Sequence, residues 1–232
     1  MLIDFDFRHK SVLIIGEGRE FETKIRQFLD AKANVIIATR KPSKSLEKLT
    51  KNKLLELVKY DPQKTWKKLA EKYDPYAVVL TNPNKLGTID LAHQIRTENR
   101  SLLYMIDNPD LNNFNMPAIA KVGRIRVAIS TGGLSPATAS VLRKRVEETI
   151  TTEDIRQVRL HAMMRPQIKR RISNAELRKI CIYKIMRSKK INGALRKNKF
   201  ATAKKLANKQ IELILQRASK RRNRNLMNSS NH

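Results

Sequence analysis

Ser11–Ala38 reads SVLIIGEGREFETKIRQFLDAKANVIIA, and this stretch decides the fold. Ser11–Ile15 is a short apolar run that stops at Gly16. Over Arg19–Ala31 the residues Phe21, Ile25, Phe28 and Leu29 recur at helical spacing and share one face. Asn34–Ala38 is a second apolar run, of a length suited to a buried strand. Strand, glycine turn, helix and strand within about 30 residues make a βαβ unit. The same alternation continues outward. Leu54–Val58 reads as a strand, Thr65–Lys72 as a short helix and Ala77–Leu80 as a strand. A loop at Thr81–Gly87, a helix at Ile89–Asn99 and a strand at Leu102–Ile106 follow. This order predicts an α/β fold with a parallel sheet and right-handed crossovers.

The pattern changes after Asp107. Ala118–Lys121 and Arg124–Ser130 flank Gly123, which predicts an antiparallel hairpin. Pro136 suits the first turn of a helix that Ala137–Glu148 continues. Beyond Thr152 only Pro166 and Gly193 interrupt, so helices are expected at Glu153–Met164, Asn174–Ser188 and Phe200–Lys220. The expected division is a Rossmann-like domain over 1–112, a hairpin and helix over 113–150, a basic helical domain over 151–220 and a disordered tail over 221–232.

Charge is uneven along the chain. The 232 residues carry 49 Lys and Arg against 21 Asp and Glu, a net charge of +28. Residues 151–232 hold 23 basic and 4 acidic side chains and supply +19 of it. Such a surface attracts anions: nucleic acid, acidic lipid or a small polycarboxylate. The single cysteine, Cys181, excludes an intrachain disulfide and suits a reducing cytoplasm. No apolar run approaches the roughly 18 residues of a membrane span, so no membrane partner is expected. His9, His93, His161 and His232 are scattered, without an i,i+4 pair or a cysteine companion, so no metal site is expected. Cys181 lies between Ile180 and Ile182 in an apolar stripe and is expected in a core.

Three places carry candidate chemistry. Gly16-Glu17-Gly18-Arg19-Glu20-Phe21 follows a strand and opens a helix, where backbone amides can hold a pyrophosphate. A plain βα turn fits the same residues. Strand two ends Ala38-Thr39-Arg40-Lys41, with no acid for the ribose hydroxyls that NAD presents. Arg40 and Lys41 suit a 2′-phosphate equally, which leaves NADP open. Asp107 stands just beyond a strand, at the carboxyl edge where α/β ligands bind, and a carboxylate there can move a proton. Asp-Asn-Pro by itself is also a turn signature.

Four segments together resemble the precorrin-2 dehydrogenase family, the oxidase and ferrochelatase enzymes of siroheme synthesis. They are VLIIGEG at Val12–Gly18, VLTNPN at Val79–Asn84, IDNPDLNNFNMPA at Ile106–Ala118 and AISTGGLSPATASVLRKRVE at Ala128–Glu147. The likeness covers nearly all of residues 1–150 and is only general beyond. This chain departs at Glu17, where the family has glycine, at Phe21, where it has a small residue, and at Leu111-Asn112-Asn113.

The resemblance implies a dehydrogenase that oxidises precorrin-2 to sirohydrochlorin with NAD. It makes Asp107 the catalytic carboxylate. It places cofactor contacts at Gly16, Gly18, Arg19, Glu20, Arg40, Lys41 and Thr81, and substrate contacts at Thr131, Gly132 and Gly133. It further implies a homodimer and, in some members, ferrous iron as a second substrate. The competing expectation is a Rossmann-like ligand sensor whose basic C-terminal region binds nucleic acid.

Overall fold

The computed structural model describes residues 2–40, 42–49, 53–59, 66–81, 88–98 and 101–229. The chain divides into two compact units, Met1–Pro117 and Ala118–His232.

The first unit is a parallel sheet of β1 (Ser11–Ile15), β2 (Asn34–Thr39), β3 (Leu55–Lys59), β4 (Ala77–Leu80) and β5 (Leu102–Met105). Its order is β3-β2-β1-β4-β5. Successive side chains of a strand point to opposite faces. Val12 and Ile14 therefore join Phe21, Ile25 and Phe28 of α1 (Arg19–Asp30) and Leu46 of α2 (Lys44–Leu49) on one face. Leu13 and Ile15 meet Leu69 of α3 (Trp66–Tyr73) and Leu91 and Ile95 of α4 (Thr88–Glu98) on the other. Val12–Ile15 are fully buried, and each such side chain contributes about 1.5–3 kcal/mol. That double burial is why β1 reads as an unbroken apolar run.

The sequence expectations for β1 to β5 hold to within a residue or so at each end. The short helix α2 has no counterpart among the sequence expectations. Ser43 caps it, its hydroxyl accepting the Leu46 N–H at 3.3 Å. The expected loop at 81–87 lies, after Thr81, outside the described residues, as does Lys41.

The second unit opens with an antiparallel hairpin, β6 (Ala118–Val122) and β7 (Ile125–Ile129). Gly123 turns it with φ 60°, a conformation that favours glycine. Helix α5 (Pro136–Thr149) packs on β6 and begins at Ser135, whose side chain accepts the Thr138 N–H. Helices α6 (Thr152–Arg171), α7 (Ala175–Met186), α8 (Lys189–Arg196) and α9 (Phe200–Ser229) share a second core. It contains Leu160, Met164, Ile168, Cys181, Ile185, Ile191, Leu195, Ala207 and Ile211. Cys181 is buried there, as its stripe implied.

Three expectations are corrected in this unit. Helix α6 runs through Pro166 to Arg171 rather than stopping at Met164. An interior proline costs about 3 kcal/mol, and the burial of Ile168 and of Ile172 at the C-cap, on the stripe of Leu160 and Met164, offsets it. Helix α8 has no counterpart among the expected helices, and it contains Gly193, a residue that weakens a helix. Its Ile191 and Leu195 face the core, and Arg156 of α6 donates to the Leu195 carbonyl at 2.9 Å, binding its last turn. Residues 221–229, expected as a disordered tail, are helical as the end of α9. Neither glycine nor proline interrupts Phe200–Ser229, so propagation meets no stop signal.

Helix α6 starts in a reciprocal capping box. Thr151 donates its N–H and its hydroxyl to Asp154 at 2.8 and 2.6 Å, and the hydroxyl accepts the Asp154 N–H at 3.3 Å. These bonds hold the Asp154 carboxyl below the ordinary aspartate value. A lowered pKa contributes stability above the unfolded value, about pH 3.9, that is lost as pH falls through the folded one. Thr151→Ala is expected to cost about 0.5–2 kcal/mol near neutral pH. Urea melts followed at 222 nm should show that cost shrinking below about pH 4.

Candidate active site

Gly16 ends β1 at the point where strand order reverses, between β1 and β4. The Gly16 N–H donates to the Ala38 carbonyl at 3.1 Å and the Thr81 N–H to the Ile15 carbonyl at 3.0 Å. Strands β2 and β4 thus flank the turn. A Cβ on Gly16 would stand 1.8 Å from Thr81 Oγ1, so only glycine fits. Gly18 is the N-cap of α1, with φ 92°, and a Cβ there would meet nothing within 4 Å. The space before it is open, and the first-turn amides of α1 have no intrahelical acceptor.

Two hydroxyls border this opening. Thr39 and Thr81 are each 2% exposed, and their Oγ1 atoms lack a hydrogen-bond partner among the described residues. Buried polar atoms are nearly always paired, so two orphans flanking an open glycine turn fit a polar ligand. Thr81 was a candidate from sequence. Thr39 was overlooked, although its only sequence signal, a threonine closing an apolar strand, was plain.

The two departures from the glycine pattern have local explanations. Glu17 is not among the residues with positive φ, so its position does not require glycine. Phe21 is fully buried and packs with Val12, Ile14 and Ile25, so the bulk that breaks the motif fills the core beneath α1. Arg19, Glu20 and Arg40 are exposed. Glu22 accepts the hydroxyls of Ser43 and Ser45 at 2.9 and 2.5 Å, which hold its carboxyl below the ordinary glutamate range.

Asp107 lies two residues past β5, at the same carboxyl edge, and is exposed. A 3-10 turn over Pro109–Leu111 then reverses the chain along the free edge of β5. Asn113 Oδ1 accepts the Leu103 N–H at 2.6 Å, and Asn112 Oδ1 accepts the Met105 N–H at 2.5 Å. Asn113 Nδ2 donates to the Ser101 carbonyl at 3.2 Å. The two asparagines take the place of a sixth strand and brace both ends of the Asp107 loop. The sequence marks them only as a departure from the family pattern, because side chain–edge pairing has no local signature.

Beneath this edge, Lys24 of α1 sits over the Tyr104 ring at 4.7 Å. Burial pushes the Lys24 amine down. Burial, with the Glu20 charge, pushes the Tyr104 phenol up.

Thr131, Gly132 and Gly133 belong to the second unit. They form a turn ahead of α5, with Gly132 and Gly133 at φ 64° and 86°. Thr131 Oγ1 accepts the Ser135 N–H at 3.1 Å, and the Leu134 N–H donates to the Thr131 carbonyl at 3.1 Å. A Cβ on either glycine would meet nothing within 4 Å. Among the described residues no three His, Cys, Asp or Glu side chains cluster to hold a metal, and His232 lies outside them. No helix among the described residues is long and apolar enough to cross a membrane.

The reversed strand order, the glycine turn and the open helix start define a Rossmann-like dinucleotide-binding protein. A family model for NAD(P)-binding chains matches residues 3–118, and this chain belongs to that family. It is 25% identical over 174 residues to a siroheme synthase of Vesicomyosocius okutanii, covering 75% of this chain and 36% of the relative. It is 26% identical over 201 residues to siroheme synthase 3 of Aeromonas hydrophila, covering 86% and 41%. The chain therefore spans about two fifths of the length of these relatives. Among solved structures, SirC, a precorrin-2 dehydrogenase, superposes with a TM-score of 0.70 at 18% identity, covering 91% of this chain and 98% of that one. That likeness is one of fold.

Proposed function

We propose that this chain is a precorrin-2 dehydrogenase, which oxidises precorrin-2 to sirohydrochlorin with NAD on the route to siroheme. The observation that carries this reading is the position of Asp107. One of the segments that resemble the family, Ile106–Ala118, begins at the carboxyl edge of a dinucleotide-type sheet, in a loop braced at both ends. The siroheme synthase relatives support it.

In this reading the first-turn amides of α1, Gly16 and Gly18 receive the pyrophosphate, with Thr39 and Thr81 as hydroxyl contacts. Bound there, the dinucleotide supplies a hydride acceptor. Asp107 takes the proton that leaves as the hydride departs, so the substrate loses two hydrogens in all. Thr131, Gly132 and Gly133 are the candidate substrate residues of the second unit. Ferrous iron, where it is inserted, is a substrate. We place the reaction in the cytoplasm, where the lone Cys181 stays reduced.

A homodimer completes the proposal. Ile119 of the hairpin and Val141 and Leu142 of α5 are 42%, 50% and 37% exposed. Large apolar groups left in water suit an interface with a second copy.

The test is an anaerobic assay of precorrin-2 oxidation by the full chain with NAD, read as sirohydrochlorin absorbance. Formation at enzymatic rates is expected; none with either NAD or NADP would sink the proposal. The alternative, a sensor with a nucleic-acid-binding basic region, draws on the +19 charge of residues 151–232. It requires salt-sensitive DNA binding in place of turnover.

A further inference from the structure

We propose that the adenosine end of this site is built for a 2′-phosphate, with Arg40 as the residue that binds it, so that NADP binds here more tightly than NAD, which the site also accepts. This rests on reading the first unit as a dinucleotide site.

An NAD-selective sheet of this kind ends its second strand with a carboxylate, which accepts from the ribose 2′-hydroxyl. Here β2 ends on Thr39, and the next residue is Arg40. The Thr39 hydroxyl is buried without a partner among the described residues. Arg40 is exposed and forms no ion pair among them. Its guanidinium is a planar fork of donors whose geometry matches phosphate oxygens. Strand β3 reinforces this from the side. Its register sets Lys59 directly beside Thr39, and Lys59 is also exposed. The adjacent ends of β2 and β3 thus present two cations.

One carboxylate does come near the start of α2, and it comes from a different element. Glu22 of α1 is held by the Ser43 and Ser45 hydroxyls, both on Oε1. Two donors temper its charge and fix it toward α2. Glu22 therefore competes with Arg40 for the role of deciding what the ribose carries, and the competition can be measured.

Adenosine 2′,5′-bisphosphate and 5′-AMP differ only in the 2′-phosphate, so their affinities isolate this end of the site. Calorimetric titration of the full chain should show the bisphosphate binding at least about tenfold tighter, the effect of one charge-assisted phosphate contact. NADP and NAD should differ in the same direction. Arg40→Ala should bring the two adenosine nucleotides to within about threefold of each other. Because the readout is a ratio within one protein sample, misfolding cannot imitate it: a misfolded variant loses both ligands. Glu22→Gln should keep the preference for the bisphosphate. Equal affinities in the wild type, or a preference that survives Arg40→Ala, overturns the inference while leaving the dinucleotide reading intact. Loss of 5′-AMP and NAD in Glu22→Gln also overturns it, by making Glu22 the ribose acceptor. Failure of all four ligands to bind overturns the inference and the dinucleotide reading together.

Discussion

Asp107→Ala and Asp107→Asn are both expected to lower kcat for precorrin-2 oxidation by about 10²–10⁴-fold, the usual contribution of a positioned general base. The asparagine variant makes the prediction discriminating. Asp-Asn-Pro is a turn signature, and asparagine serves a turn as well as aspartate does. Were Asp107 only a turn residue, Asp107→Asn would retain full activity. A general base cannot be replaced that way, because an amide does not accept the proton. Neither variant should disturb the fold. The loop is fastened by Asn112 and Asn113 on the edge of β5, not by Asp107 alone, and Asp107 is exposed. Anaerobic kinetics on both variants, with circular dichroism as the folding check, settle the role. Full turnover in either variant removes Asp107 from catalysis.

Two glycines two residues apart should behave in opposite ways. Gly16→Ala drives a methyl to 1.8 Å from Thr81 Oγ1 and 2.9 Å from the Thr81 carbonyl oxygen. The second contact is with backbone that is itself tied to β1 by the Thr81 N–H. Overpacking and backbone strain together are expected to cost about 3–5 kcal/mol, a large part of a typical domain's stability. Thr81→Ala in the same chain removes the hydroxyl contact but not the backbone one, and should restore part of the loss. Gly18→Ala meets no atom. Its positive φ costs about 1–3 kcal/mol, and the protein should remain folded. Its methyl occupies the space before the helix start, so NAD affinity should fall by tenfold or more, equivalent to about 1.4 kcal/mol. Urea melts and NAD titrations separate the two outcomes. A stable Gly16→Ala, or a Gly18→Ala that binds NAD normally, contradicts this account of the turn.

Much of the fold was legible from local pattern. Apolar runs of four to six residues, a helical stripe between them and a glycine at the turn are short-range signals, and β1, α1 and β2 followed from them. The helical half was less legible. Pro166 is a stop signal on its own, and only the shared core of α6 to α9 shows why Ile168 and Ile172 carry the helix past it. The Arg221–Ser229 stretch looked too charged and polar to order, yet it continues a helix already nucleated in that core.

By itself the sequence determined that Gly16 ends a strand, that Asp107 follows one and that β2 closes without an acid. Each is a matter of residue type and spacing along the chain. The tertiary structure alone decided that Thr81 stands against Gly16, that Lys59 lies beside Thr39 and that Asn112 and Asn113 brace the edge of β5. Ser43 and Ser45 reaching Glu22 belong with these. The reason is physical. Parallel neighbours are joined by crossovers rather than by local turns, so which strand ends meet, and in what register, is set by packing both sheet faces under helices.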